Sequence, residues 1–194
     1  MKTAIITLDF INDICHQNGQ IAAAASRIKK NKIIKNTNKL IIWGRTHSHL
    51  ICHIRVAFSD DYRESSPHSP LFNHIKDIDA LKQGSWGTDF IDDLNISDSD
   101  VSIYKRRVSG FRGTELPVLM ASHRIEKIIL CGVSTQNTVE LTAREAHDRD
   151  FLVYIASDAC ESDTEKNKRN SLHFLTQIGI VKTVDEIIAS SGSD

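Results

Sequence analysis

Residues 127–157 read KIILCGVSTQNTVELTAREAHDRDFLVYIAS, and this stretch decides the fold. Lys127 to Val133 (KIILCGV) is a short apolar run, and Phe151 to Ser157 (FLVYIAS) is another. Neither alternates polar with apolar residues, which is the pattern of a strand covered on both faces. Thr135 to Arg149, between them, reads as a helix. Strand, helix, strand at this spacing is a parallel unit with a right-handed crossover.

The same alternation continues outward in both directions. Downstream, Ser162 and Glu165 form a capping box that opens a helix to about Gln177, and after a short strand near Ile180 the pair Thr183 and Glu186 repeats the signature. Upstream lie a helix from Thr114 to His123 and three strands: Val101 to Lys105 (VSIYK), Leu50 to Phe58 (LICHIRVAF) and Thr3 to Phe10 (TAIITLDF). Ile21 to Arg45 reads as one helix after an alanine-rich start, with Ile33, Leu40, Ile41 and Gly44 at helical spacings. Between the second and third strands runs a turn-rich excursion containing SPHSPLF and QGSWGTDF, with one short helix. The expected architecture is α/β: a doubly wound, mostly parallel sheet with helices on both faces, a three-layer sandwich forming a single domain over residues 1–194.

Composition agrees with that reading. The 194 residues carry 24 Lys+Arg against 25 Asp+Glu, a net charge of −1, which argues against a nucleic-acid binder. Apolar residues make up 40% and charged residues 25%, the values of a folded soluble domain rather than a disordered chain. A chain of this length buries roughly 70% of its unfolded surface, enough for a core without disulfides. No apolar run nears the ~20 residues of a membrane span, and MKTAIITLDF meets an acid at Asp9 before any signal-like stretch develops, so a cytoplasmic protein is expected. Cys15, Cys52, Cys131 and Cys160 contain no C-x-x-C pair and read as reduced thiols.

Open α/β sheets hold their ligands at the carboxyl ends of the strands. The residues delivered there are Asp9, Lys105, the turn Gly132-Val133-Ser134-Thr135, and Asp158. Alone, Asp9 could be a helix-start acid, and Lys105 opens the run Lys105-Arg106-Arg107, a pattern usually found on a solvated face. Together at one sheet edge they would form a pair in which each charge fixes the other's protonation. The turn at Ser134 could bind a developing oxyanion through backbone N–H groups, or simply be capped by Ser134 or Thr135. His47, His49 and His53 crowd one stretch, but His49 and His53 fall at or within a strand and have no carboxylate between them, so no metal site and no cofactor is expected. Phe10, Trp86 and Phe111 are the aromatic candidates for a substrate pocket, although such side chains are more often core. Arg55, ending the second strand, is expected to be solvated.

Asp9, QGSWG (Gln83 to Gly87), Lys105 with SGFRGT (Ser109 to Thr114), GVST (Gly132 to Thr135), VELTAREAHDRDF (Val139 to Phe151) and SDAC (Ser157 to Cys160) occur in that order. This ordered set, spanning about residues 3 to 160, resembles the isochorismatase-like hydrolases. The resemblance implies the doubly wound sandwich, a small-molecule substrate and a homodimer or larger assembly. It also implies a catalytic Asp and Lys at Asp9 and Lys105, a cis peptide before Ser134, and an oxyanion hole of backbone amides at Ser134 and Thr138. Where family amidases read G-V-x-T-x-x-C-V, this chain reads GVSTQNTV, with Thr138 at the position of the nucleophilic cysteine.

That replacement matters chemically. A cysteine, with a reference pKa of about 8.5, becomes a thiolate readily at a helix amino terminus, whereas a threonine hydroxyl needs a strong adjacent base. Family isochorismatases without the cysteine hydrolyse a vinyl ether, so the resemblance implies that Asp9 protonates an alkene carbon and water adds, with Lys105 orienting both. The expected substrate is a small metabolite, carboxylated ones included. A pseudoenzyme that binds a metabolite or partner, and an amidase using Thr138 as nucleophile, are the alternatives. The spaced histidines of nicotinamidases are absent from RVAFSDDYRESSPHSPLF.

Overall fold

The structure is a computed structural model and describes residues 1–190. In chain order the elements are β1 (Thr3–Leu8), α1 (Asn12–Cys15), α2 (Ala25–Lys30), α3 (Ile33–Thr46), β2 (Leu50–Val56), α4 (Pro70–Asp77), β3 (Val101–Lys105), α5 (Leu116–Ser122), β4 (Lys127–Val133), α6 (Glu140–His147), β5 (Leu152–Glu161), α7 (Glu165–Leu175), β6 (Ile180–Lys182) and α8 (Val184–Ser190). A 3₁₀ turn at Trp86–Thr88 and a π-helical turn at Thr135–Val139 complete them. All strand pairs are parallel, in the order β3-β2-β1-β4-β5-β6. The α/β doubly wound sheet expected from the alternation is the observed fold.

Sheet order explains strand composition. β1 lies between β2 and β4 with all six residues buried, and β4 is likewise buried throughout, which is why neither carries a polar face. Edge strands β3 and β6 are short and partly exposed. From β1 the chain winds outward to β3 and then returns past β1 to start β4. The order therefore reverses between β1 and β4, and the crevice at their carboxyl ends is where a doubly wound sheet binds ligands. Gly132 is needed for the close approach of these two strands, because a Cβ there would stand 2.4 Å from the Leu8 carbonyl oxygen.

Several boundaries differ from the sequence expectation, each for a tertiary reason. The helix expected over Ile21 to Arg45 is two helices, α2 and α3, broken at Lys32 in the left-handed region (φ +55°). Just before the break, Arg27 (Nη2 3.0 Å) and Asn31 (Nδ2 2.6 Å) both donate to the buried Glu161 carboxylate. β5 runs on through Ser157 to Glu161, because a register shift against β4 lets Cys160 pair with Gly132 and Glu161 with Val133. The first capping box fails: Thr164 caps α7 by accepting from the Asn167 N–H (3.1 Å), while the Ser162 hydroxyl donates to Gln136. The second holds, Thr183 and Glu186 each accepting from the other's backbone N–H (3.3 and 2.7 Å).

The excursion after β2 folds on a small satellite core of Ile11, Val56, Phe58, Tyr62, Phe72, Ile75, Ala80 and Leu81. Ser69 caps α4 from outside, with Pro70 as its first residue. This layer forms one wall over the carboxyl ends of β1 and β3. All four cysteines are buried free thiols. Among the described residues, no helix is long and apolar enough to cross a membrane.

Candidate active site

Asp9 follows β1 in the left-handed region (φ +59°), a conformation that Asp visits more readily than most residues. Its N–H donates to the Ile54 carbonyl (2.8 Å), and the turn sends its side chain across the end of β2. There Oδ1 accepts from the Val56 N–H (2.7 Å) and Oδ2 meets the Lys105 ammonium (2.8 Å). Lys105 arrives from β3, where it is paired in register with Val56. Both side chains are at most 4% exposed. The basic run read as solvated is therefore divided, its first member being an internal ion pair. Lys105 also donates to the carbonyls of Arg107 (3.2 Å) and Val108 (3.1 Å), so its three N–H bonds all have acceptors.

Thr138 stands in the π-helical turn after β4, and π-helical turns are frequent at functional sites. Its hydroxyl donates to the Val108 carbonyl (3.1 Å), the same oxygen that Lys105 uses. The Val133–Ser134 peptide is cis, as the resemblance implied. Neither candidate cap serves: Ser134 makes no side-chain capping bond, and the buried Thr135 hydroxyl has no partner among the described residues. A side-chain cap thus does not occupy the N–H groups at the start of the turn.

Asp9, Lys105, Ser134 and Thr138 face one cavity of about 270 Å³, just under the ~300–1,000 Å³ of pockets for drug-sized ligands. Its apolar wall is Ile14, Ile21, Leu71, Phe72, Ile75 and Leu81, and His74, Arg107, Gln136 and Asp163 contribute polar atoms. The aromatic expectation is corrected here. Phe10 and Phe111 are each 1% exposed in the main core, Phe111 stacked on Phe151, and Trp86 is half exposed against the edge of His16. QGSWG serves instead as scaffold: Gly87 packs directly against the Asp13 carboxylate, and Asp13 accepts from the Leu81 N–H (2.9 Å). Phe72 is the aromatic residue that reaches the cavity, because α4 folds over it.

Other candidates are placed away from the chemistry. His53 is fully buried between Thr7 (2.8 Å) and Asp100 (3.0 Å), while His47 and His49 rest on Trp43. Among the described residues, no three His, Cys, Asp or Glu side chains gather as a metal site. Arg55 is not solvated: it is sandwiched between Phe90 and Tyr104 and donates to the Thr88 carbonyl (3.0 Å). Asp158 is not at a strand's end: β5 continues past it to Glu161, and its side chain accepts from the Val184 N–H (2.8 Å) and so anchors α8. Cys15, on the loop after Asp9, is a buried thiol that burial, with the Asp9 charge adding to it, pushes well up, which disfavours the thiolate.

Sequence reasoning missed Glu161, wholly buried at the end of β5, where Arg27, Asn31 and Lys168 surround it. It ties α2 to the sheet edge and so holds Ala23 and Ala24 against the cavity. Its position directly after SDAC was the available signal.

A family model described as the isochorismatase domain matches residues 3–186. The chain belongs to the isochorismatase family. It is 30% identical over 187 residues to the uncharacterized isochorismatase family protein YecD of Escherichia coli O157:H7, covering 96% of this chain and 94% of that one. To the ureidoacrylate amidohydrolase RutB of Klebsiella pneumoniae it is 25% identical, over 81% and 72% of the two chains. The solved structure of an isochorismatase-like hydrolase from Alkaliphilus metalliredigens superposes with a TM-score of 0.81 at 27% identity, covering 98% of this chain and 99% of that one. The last two are described as hydrolases, and this isochorismatase-family chain carries the corresponding fold across its described length.

Proposed function

We propose that this isochorismatase-family protein hydrolyses a small metabolite by proton transfer through Asp9 and Lys105, with water rather than Thr138 as the attacking oxygen. The observation that carries the reading is the Thr138 hydroxyl, which spends its proton on the Val108 carbonyl instead of on a base. A hydroxyl becomes a nucleophile only when an adjacent base takes that proton. Asp9 and Lys105, in contrast, form a hydrogen-bonded pair that holds a proton at the cavity floor.

For a vinyl ether the steps balance. Lys105 passes a proton to Asp9, Asp9 delivers it to the terminal alkene carbon, the alkene π pair forms the new C–H bond, and the carbon left cationic is stabilised by the ether oxygen as an oxocarbenium ion. Water adds to that carbon, and the proton it loses returns through Asp9 to Lys105. The hemiketal then collapses to a carbonyl and an alcohol. Such positioned proton transfer contributes typically 10²–10⁴-fold. Ser134 and Thr138 backbone N–H groups would steady negative charge on a substrate oxygen.

The test is turnover of a panel of vinyl ethers, amides and esters by the wild type, Asp9→Asn and Thr138→Ala. The reading requires a vinyl ether substrate, loss of turnover in Asp9→Asn and near-wild-type turnover in Thr138→Ala. Amide hydrolysis that disappears in Thr138→Ala would replace it with threonine nucleophilic catalysis, and inactivity of the wild type on the whole panel would replace it with a binding role.

A further inference from the structure

We propose that a basin on the outer side of the active-site wall is a binding site for a phosphate-class anion. The basin, about 560 Å³, is bounded by Arg63, Arg106, Arg107 and Arg112 together with Glu64 and Ser65. Two of the four charges are already answered: Arg63 lies 2.9 Å from Asp61, and Arg106 lies 3.5 Å from Glu64. Among the described residues, Arg107 and Arg112 have no carboxylate at ion-pair distance. Arg107 gives its Nη1 to the carbonyls of Glu64 (2.8 Å) and Arg106 (2.6 Å), which fixes the guanidinium plane while its remaining N–H groups stay uncommitted.

A second observation points the same way. Two buried polar atoms on residues of this basin, Arg106 Nη1 and Ser65 Oγ, have no hydrogen-bond partner among the described residues. Buried donors are almost always satisfied, so two orphans beside two unanswered guanidinium groups call for an absent acceptor. A carboxylate, with two oxygens, is consumed by a single arginine fork. A phosphate group presents three or four acceptor oxygens and can serve several donors at once. The excess of positive charge in an otherwise balanced chain is thus matched by a compact, multiply charged anion.

The basin and the cavity share Arg107 as a wall. The Arg107 carbonyl also accepts from Lys105 (3.2 Å), so an anion in the basin would sit one residue from the reacting pair. Two sources fit this chemistry: a phosphate ester on the substrate itself, reaching past Arg107, or a separate small phosphate-bearing molecule.

The test is calorimetric titration of inorganic phosphate into the full chain at low ionic strength. Saturable binding is expected, and Arg112→Ala, which removes an exposed side chain without partners among the described residues, should weaken it by about tenfold or more. Arg149→Ala, which breaks a surface pair with Glu145 elsewhere, should leave it within about twofold. No saturable binding, or equal affinity in Arg112→Ala, would overturn the proposal. This arm needs no turnover, so its failure is distinct from failure of the proposed reaction. Where an active substrate is in hand, phosphate that raises KM alone assigns the basin to the substrate's own phosphate, and phosphate that alters kcat without competing assigns it to a separate molecule.

Discussion

The Lys105 ammonium and the Thr138 hydroxyl donate to one carbonyl oxygen, that of Val108, at 3.1 Å each. Thr138 is thereby tied to the lysine through a shared acceptor, and its hydroxyl donates to a carbonyl rather than to a base. Thr138→Ala removes one of two donors to Val108 and should change turnover by no more than about tenfold, since a net hydrogen bond is worth about 0.5–1.5 kcal/mol. Thr138→Cys is the converse experiment. A thiol at this turn, next to the Lys105 charge, should have a lowered pKa, visible as thiolate absorbance at neutral pH and as selective alkylation.

Lys105→Met should be costly in a different way. It leaves the Asp9 carboxylate buried with only the Val56 N–H as partner, and breaking a buried ion pair on one side destabilises by about 3–5 kcal/mol. Asp9→Asn combined with Lys105→Met should recover part of that loss, because no uncompensated charge remains. Urea unfolding of the two variants checks the order; equal stability of the single and double variants would refute it.

Acid should weaken the fold through His53. Burial, the largest influence, holds its pKa below the ordinary value of about 6.5, against the opposing pull of Asp100. The unfolded chain therefore takes up a proton that the folded chain refuses. Stability present above about pH 6.5 should fall as pH drops below it toward the folded pKa, by up to about 1.4 kcal/mol per pH unit. His49, half covered and lowered by burial too, adds to the slope. Denaturation measured between pH 5 and 7 should show a shallower slope in His53→Gln than in the wild type.

The four thiols should be silent in the native protein. Burial pushes Cys52 and Cys160 up to about 12, and Cys131 well above its ordinary value. A thiol reagent at pH 8 should label none of the four until denaturant unfolds the chain; rapid labelling of Cys15 in native protein would reopen it as a nucleophile.

The fold was legible because the information was local. KIILCGV and TAIITL are central strands whose continuous apolar character follows from having cover on both faces, and the alternation with helices leaves one topology class. Asp9, Lys105 and Ser134 could be placed at one sheet edge from strand ends alone. What the pattern could not carry was any fact set by residues far apart in the chain. The break at Lys32 accompanies the grip of Glu161, about 130 positions away, on Arg27 and Asn31; the cavity is walled by Phe72 rather than Phe10 because α4 folds back over the sheet. Likewise Asp9 meets Lys105 across 96 positions only because β2 lies between them in register, and Thr138 donates to a carbonyl rather than to a base because that of Val108 lies within its reach. Short-range periodicity dictates which segments become strands and helices, whereas the partners of a buried polar group are chosen by three-dimensional packing, where each donor takes whatever acceptor the fold brings near.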